Sequence, residues 1–380
     1  MIGMPSATAF LFWSQCNPSS TKCKTDLIRA INSSSAAFSC NIDSNATALC
    51  SAKFARHFRT PADEFFRKNK KIPLPSIMHE SLEHLSAAAT AEGQKERTSN
   101  DIKIFVIGDV HGCYDELLDL HEKAVKENDY KPFDYVILVG DLCNKGPHSA
   151  EVIRHVRLSP GWFSVRGNHD DGALAAALGD SNRLKKETYK WVKDASFDGN
   201  DTDEDLNVKL CDDDVQWLSE LPYTIRILGD TLGDTEDTII VHAGLIPYCD
   251  IQDQKIPTMS TIRDVSPRCD ENGEFTHFEY HGSKSGEAKS ISTNDDTKKY
   301  CNEAVTWASA WNAQRYPPFR IIFGHDAKRK LQLYEGNWVT GLDTGAVYGG
   351  ELTGIILPER KLVSVKSKEY SPIIKKRHKG

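Results

Sequence analysis

The sequence predicts an α/β protein in which strands alternate with helices and the chemistry gathers at strand ends. Two observations carry that prediction. From Ile102 onward, short β-rich apolar runs recur at 102–107, 135–139, 162–165, 238–241 and 320–323. Several are followed by helical stretches, such as 114–128 and 150–157, and that alternation is the signature of α/β folds. Each run also ends in a cluster of Gly, Asp, Asn or His, and in open α/β sheets functional groups collect beyond the carboxyl ends of the strands. The composition agrees: 380 residues, 39% hydrophobic and 27% charged, describe a globular chain somewhat rich in polar residues.

In chain order, residues 1–60 carry two acids, six bases and many Ser, Thr and Ala. Two readings fit: an organelle transit segment, or a disordered tail with no address, which leaves the protein cytoplasmic by default. Residues 75–90 predict a helix, and 91–100 a polar linker. His79 and His84 lie five apart, so they fail the i, i+4 spacing of a zincin helix. Residues 1–100 are therefore expected to be a leader, 101–367 the catalytic domain, and 368–380 a basic tail. Solvated insertions are expected near 194–214, where nine acids meet one base, and near 270–299, which is rich in Ser, Gly, Glu, Lys and Asp. The 10 cysteines include no C-x-x-C pair, so reduced thiols are expected. Lys+Arg 47 against Asp+Glu 54 gives −7, which disfavours broad nucleic-acid binding. No apolar run approaches the roughly 18 residues of a membrane-spanning helix.

The strand ends read Gly108-Asp109-Val110-His111-Gly112, Gly140-Asp141, Gly167-Asn168-His169-Asp170, His242-Ala243-Gly244 and Gly324-His325-Asp326. A lone Gly-Asp after a strand is usually a turn, and a lone His usually a packed one. Five such ends on one sheet edge make a ligand set. Hydrolysing a phosphate ester at neutral pH calls for a strong nucleophile and for neutralisation of the phosphoryl oxygens, and two metal ions supply both. Asp141 is the candidate bridge between the ions. Asp109 and His111 are assigned to one ion, and Asn168, His242 and His325 to the other. Nitrogen and oxygen donors without thiolate suit Mn, Fe, Zn or Co better than Mg or Ca. The expected cofactor is two divalent transition-metal ions, Mn2+ first.

These blocks resemble the signature of the calcineurin-like metallophosphoesterases of the phosphoprotein-phosphatase superfamily. Within it, Gly140-Asp-Leu-Cys-Asn-Lys-Gly-Pro147 and Gly341-Leu-Asp-Thr-Gly-Ala-Val-Tyr-Gly-Gly-Glu-Leu-Thr353 look most like the symmetrical bis(5'-nucleosyl)-tetraphosphatase branch and its ApaH-like relatives. The resemblance runs from about Ile102 to Val365. It implies a four-layer αββα sandwich, the ligand assignments just given, and His169 as the general acid at the leaving oxygen. Lys145 stands where protein phosphatases of the superfamily carry a phosphate-gripping arginine, and lysine lacks that bidentate fork. Asn144 stands where they place an aspartate that orients the histidine. Both departures favour the ApaH-like reading over a phosphoprotein substrate. Arg263 is the candidate second phosphate clamp. Arg166, next to Gly167 as the resemblance leads one to expect, is counted on the substrate side as an orienting residue. Trp307 and Trp311 share a helix face, where core packing is the expected role and base stacking the alternative.

The expected activity is hydrolysis of a phosphoanhydride or phosphoester through attack of a metal-bridging hydroxide. The substrates would be dinucleoside polyphosphates, capped RNA ends or polyphosphate. The alternatives are a phosphoprotein phosphatase and, more distantly, a non-catalytic scaffold. The second would be marked by a lost ligand, and none of the six is missing.

Overall fold

The computed structural model describes residues 79–81, 102–193, 210–280, 288–291 and 293–371. Its strands are β1 (His79–Ser81), β2 (Ile104–Ile107), β3 (Tyr135–Leu138), β4 (Trp162–Ser164), β5 (Thr224–Ile227), β6 (Thr238–Val241) and β7 (Asp264–Cys269). They continue with β8 (Phe275–Tyr280), β9 (Val305–Thr306), β10 (Arg320–Phe323), β11 (Gln332–Leu333), β12 (Val339–Gly341), β13 (Glu351–Leu357) and β14 (Lys361–Lys366). The helices that bear on the site are α1 (Tyr114–Glu127), α2 (Ser149–Leu158), α3 (Asn168–Ala177), α4 (Asp212–Glu220), α5 (Ile256–Thr261) and α6 (Trp307–Gln314).

Two sheets stand at the centre. One runs β14-β13-β2-β3-β4 and the other β1-β5-β6-β10-β12-β11. Strands β2, β3 and β4 pair in parallel, with Ile104 opposite Tyr135 and Val136 opposite Trp162. Parallel neighbours need a crossover, and α1 and α2 supply it. In the second sheet β6, β10 and β12 are parallel and β5 runs antiparallel to β6.

Strand β2 shows how the layers arise. All four of its residues are buried, and successive side chains point to opposite faces. Phe105 and Ile107 pack with Leu117, Leu120 and Ala124 of α1. Ile104 and Val106 pack with Ile225, Ile227, Ile240 and Ile322 of the other sheet. On that sheet's far face Ile239, Val241, Ile321 and Phe323 meet Trp307, Ala310 and Trp311 of α6. Helix, sheet, sheet, helix is the four-layer αββα sandwich. Trp307 and Trp311 are 2% and 0% exposed, and the Trp311 indole donates to Phe319 O at 3.0 Å, so both belong to the core rather than to a stacking surface.

The structure departs from the sequence reading in four places. Within 75–90, where a helix was expected, the described residues 79–81 form β1, parallel to β5 at Thr224–Arg226. An open sheet edge presents unpaired N–H and C=O groups, and satisfying them outweighs local helical preference. The 270–299 stretch contains β8, which forms a hairpin with β7 in a small sheet ordered β8-β7-β9. The acidic 194–214 stretch runs into α4. There Asp214, with 0% exposure, pairs with Arg154 and Arg157 of α2, and three acids in the first turn complement the positive helix end. Lastly, Cys269 and Cys301 are disulfide-bonded with Cα atoms 5.9 Å apart, against the expectation of reduced thiols throughout. The fold brings together two residues that spacing alone could not pair. Apart from 79–81, the leader and linker expected over 1–100 lie outside the described residues, as does the tail beyond 371. Among the described residues no helix is long and apolar enough to cross a membrane.

Candidate metal centre and active site

Six strand-to-loop junctions converge on one edge of the two sheets. Beyond β2 lie Asp109 and His111, beyond β3 Asp141, and beyond β4, at the start of α3, Asn168 and His169. The second sheet contributes His242 after β6, His325 after β10 and Asp343 after β12. His111, Asp141 and His325 have φ of 48°, 50° and 69°. Left-handed backbone at non-glycine residues costs about 1–2 kcal/mol each. Such strain persists where the surroundings over-determine it, characteristically at functional sites.

Hydrogen bonds on the outer edge fix the inner edge. His111 Nδ1 faces Cys143 O at 3.1 Å and His242 Nδ1 faces Val139 O at 2.9 Å. A carbonyl can only accept, so both rings carry the proton on Nδ1 and turn an Nε2 lone pair inward. His111 Nε2 lies 3.4 Å from Asp141 Oδ2, and His242 Nε2 lies 3.3 Å from Asp141 Oδ1. His242 Nε2 also stands 3.1 Å from Asn168 Oδ1 and 3.2 Å from His325 Nδ1. Among the described residues His325 Nε2 is buried without a partner. The His242 lone pair thus faces the carboxylate of Asp141 and the amide oxygen of Asn168, both acceptors, and a cation among them relieves that repulsion, so this donor set fits a metal. Asp141 belongs to two such groups, one with His111 and His169 and one with His242 and His325, each within a 4.8 Å span.

The charges tell the same story. Burial lowers His111, His242 and His325 below the usual imidazole value, keeping their lone pairs free. Burial alone would raise Asp141, but His242, His169, His111 and Lys145 outweigh it and hold its carboxyl below the ordinary range. Asp109 is raised by burial and then by Asp343 and Asp141, while burial lifts Asp343 to about 6. Three buried carboxylates that repel one another are relieved by a cation.

The residues predicted from sequence are brought together unevenly. Asp141, His111, Asn168, His242 and His325 stand within the distances given above. Asp109, grouped with His111, is buried, and both its oxygens accept from His325 N–H, at 3.1 and 3.0 Å. Lys145 reaches in at the opposite end, its Nζ 2.9 Å from His111 Nε2 and over the Tyr348 ring at 5.2 Å. Arg263 lies at the His325 end, where Nη2 donates to His325 O at 3.0 Å and Nε lies 3.7 Å from Asp326. Two cations thus flank the cluster. Arg166 does not belong on the substrate side. It is 0% exposed, and its guanidinium is committed to Leu218 O, Ser219 O, Tyr223 OH and Asp171. Through Asp171 it anchors α3 to the last turn of α4 and to Tyr223 just beyond it.

His169 N–H donates to Asp141 Oδ1 at 2.9 Å, and its ring packs edge-on against His111 with centroids 4.8 Å apart. Burial lowers this ring to about 4 despite Asp141. Its Nδ1 lies 2.9 Å from Asn144 Nδ2. Sequence reasoning missed Asp343, although it ends a Gly-Leu-Asp run of the same kind as the others. It also missed Asp170, which accepts from Leu142 N–H and Gly167 N–H, each at 2.9 Å, and so ties the Asp141 loop to the Asn168 loop.

Histidine and carboxylate donors converging at the carboxyl ends of two packed sheets, between two cationic side chains, define a metal-dependent phosphoric ester or anhydride hydrolase. The calcineurin-like phosphoesterase family model matches residues 102–329, and the chain belongs to that family. It is 30% identical over 281 residues to the symmetrical bis(5'-nucleosyl)-tetraphosphatase of Methylococcus capsulatus, covering 67% of this chain and 91% of that one. Against the symmetrical enzyme of Yersinia pestis it is 30% identical over 277 residues, covering 66% and 87%. Against the asymmetrical bis(5'-nucleosyl)-tetraphosphatase of Halalkalibacterium halodurans it is 26% identical over 276 residues, covering 70% and 94%.

Proposed function

We propose that this protein hydrolyses the phosphoanhydride bonds of dinucleoside polyphosphates, with capped RNA ends and inorganic polyphosphate as substrates of the same chemistry. The observation that carries the reading is Asp141, one carboxylate shared by two inward-facing donor groups. It is the arrangement a pair of ions requires. Two divalent ions, when bound, would supply an activated water and a clamp on the phosphoryl oxygens. Asp109 and His111 would hold one ion and Asn168, His242 and His325 the other, with Asp141 shared between them.

The chain's own part is positioning and charge. The Cys143 and Val139 carbonyls orient two imidazoles before any ligand arrives, a supporting shell that keeps the donors aimed. Lys145 and Arg263, at opposite ends, hold the anionic chain, and His169 serves the leaving oxygen as donor. The names of the relatives support a dinucleoside polyphosphate, and Asn144 with Lys145 weighs against phosphoprotein. The test is to assay the Mn2+-loaded protein in parallel on diadenosine tetraphosphate, capped RNA, long-chain polyphosphate and phosphopeptides. Anhydride hydrolysis abolished by chelation is expected. Turnover of phosphopeptides alone would overturn the reading.

A further inference from the structure

Asn144 is fully buried, its backbone N–H donates to Ser149 Oγ at 2.8 Å, and its carboxamide lies between two rings. On one side Nδ2 is 2.9 Å from His169 Nδ1. On the other, Oδ1 accepts from Trp191 Nε1 at 3.2 Å, an N–H shared with Thr188 O at 3.1 Å. Trp191 sits on the short helix Lys190–Lys193, outside every motif so far discussed.

The indole N–H can only donate. The atom of Asn144 that faces it must therefore be the oxygen, because turning the carboxamide over would set two donors against each other. With the oxygen fixed, the amide nitrogen faces His169 Nδ1, and an amide nitrogen likewise only donates. Nδ1 must accept, so the ring proton is on Nε2, the nitrogen left for the reacting centre.

We infer that Trp191 is a positioning residue which, through Asn144, locks His169 in its Nε2–H tautomer and so matches the site to phosphoanhydrides rather than alkyl phosphate esters. An aspartate in place of Asn144 would accept from Nδ1–H and steady a doubly protonated ring, which can hand a full proton to an alkoxide. The asparagine offers no acceptor on that side. His169 then presents a neutral N–H that stabilises the departing oxygen by hydrogen bonding without transferring its proton. A departing phosphate is already a good leaving group and needs no more than that. A serine or threonine alkoxide needs the proton. This inference rests on the reading of His169 as the donor at the leaving oxygen, and it narrows the substrate class of that same site.

Two measurements test it together. The first is a long-range 1H–15N spectrum of the histidine rings in the full chain loaded with Zn2+, a diamagnetic probe. His169, assigned by its loss in His169→Gln, should show the Nε2–H pattern. Trp191→Phe should mix the two tautomers, and Asn144→Asp should reverse the pattern to Nδ1–H. The second is the ratio of turnover on diadenosine tetraphosphate to turnover on a phosphoserine peptide. Losing the hydrogen bond that fixes Asn144 should lower that ratio about tenfold in Trp191→Phe, whereas a merely structural defect would depress both activities together. An unchanged tautomer in Trp191→Phe, or an unchanged ratio, overturns the inference. If His169→Gln leaves turnover intact, the donor reading has failed instead, and the spectrum still decides whether Trp191 sets the ring.

Discussion

Gly167 separates the Asp141 loop from the start of α3, and replacing its hydrogen by a methyl offers a clean test of the proposed bridge. A Cβ at 167 would stand 3.0 Å from Asp141 Cγ, and closer still to Asp141 Oδ1 and its backbone nitrogen. Carbon atoms settle at about 3.5–4.0 Å, so the carboxylate and its loop must retreat by about 1 Å. Asp141 is 2% exposed and Asp170 ties its loop to that of Asn168, so the retreat cannot be absorbed by a side-chain swing. Overpacking of this size costs about 1–3 kcal/mol of stability. A misplacement of about 1 Å at a reacting centre costs about 100-fold in rate. Gly273 supplies the control. It sits in the β7–β8 turn at φ 79° with nothing near its Cβ position among the described residues, so Gly273→Ala should lose about 1–2 kcal/mol from backbone strain and no activity. The assay is kcat on diadenosine tetraphosphate across a Mn2+ titration, beside urea unfolding of each variant. Gly167→Ala with kcat and metal dependence within threefold of wild type would refute the central placement of Asp141.

Other expectations follow from the same contacts. Arg166→Met takes the guanidinium from Asp171, leaving it the Tyr223 hydroxyl, and from two carbonyls, and should cost about 3–5 kcal/mol in urea unfolding; a loss below 1 kcal/mol would contradict its anchoring role. Lys145→Met removes the cation at the His111 end, and losing one charged hydrogen bond of about 1.5–3 kcal/mol should lower kcat/KM about 10- to 100-fold in steady-state assays. His155, half-buried against Trp162, is lowered to about 4 by burial and then by His121. A folded value below the unfolded 6.5 means its stabilisation is complete above pH 6.5 and is lost as pH falls toward 4. At pH 5 that loss is about 2 kcal/mol, so His155→Gln should shrink the stability difference between pH 7 and pH 5 by that amount in paired urea titrations.

The parts legible in the sequence were those where local pattern and three-dimensional role coincide. Strand β2 is an unbroken apolar run, and β6 and β10 are apolar after their first residues, Thr238 and Arg320, because both faces are covered, and each ends where polar groups meet. Asp343 escaped because β12 is three residues long and ends in glycine, too short a run to mark a strand end by itself. Arg166 misled because a charged residue beside a ligand reads as functional, while its burial depends on carbonyls at 218 and 219 that adjacency cannot reveal. Trp191 lies 47 residues from Asn144, and nothing in its neighbourhood, Thr188-Tyr189-Lys190-Trp191, suggests contact with the site. Donor direction is a property of pairs, and sequence lists only members. The Cys269–Cys301 pairing was hidden for the same reason.

The two sheets meet mainly through aliphatic side chains, and the inward donors come from both. That arrangement has a consequence for the order in which the protein comes into being. Synthesis runs from the amino end, at about 5–20 residues per second. Of the six proposed ligands, Asp109, His111, Asp141 and Asn168 therefore leave the ribosome well before His242 and His325. The growing chain can hold no complete site until more than 320 residues have emerged, so an ion captured earlier would sit among incomplete and mobile donors. On the proposed ligand set, loading would wait for the end of translation, when the second sheet closes over the first and the finished protein meets the metals of whichever compartment it then occupies.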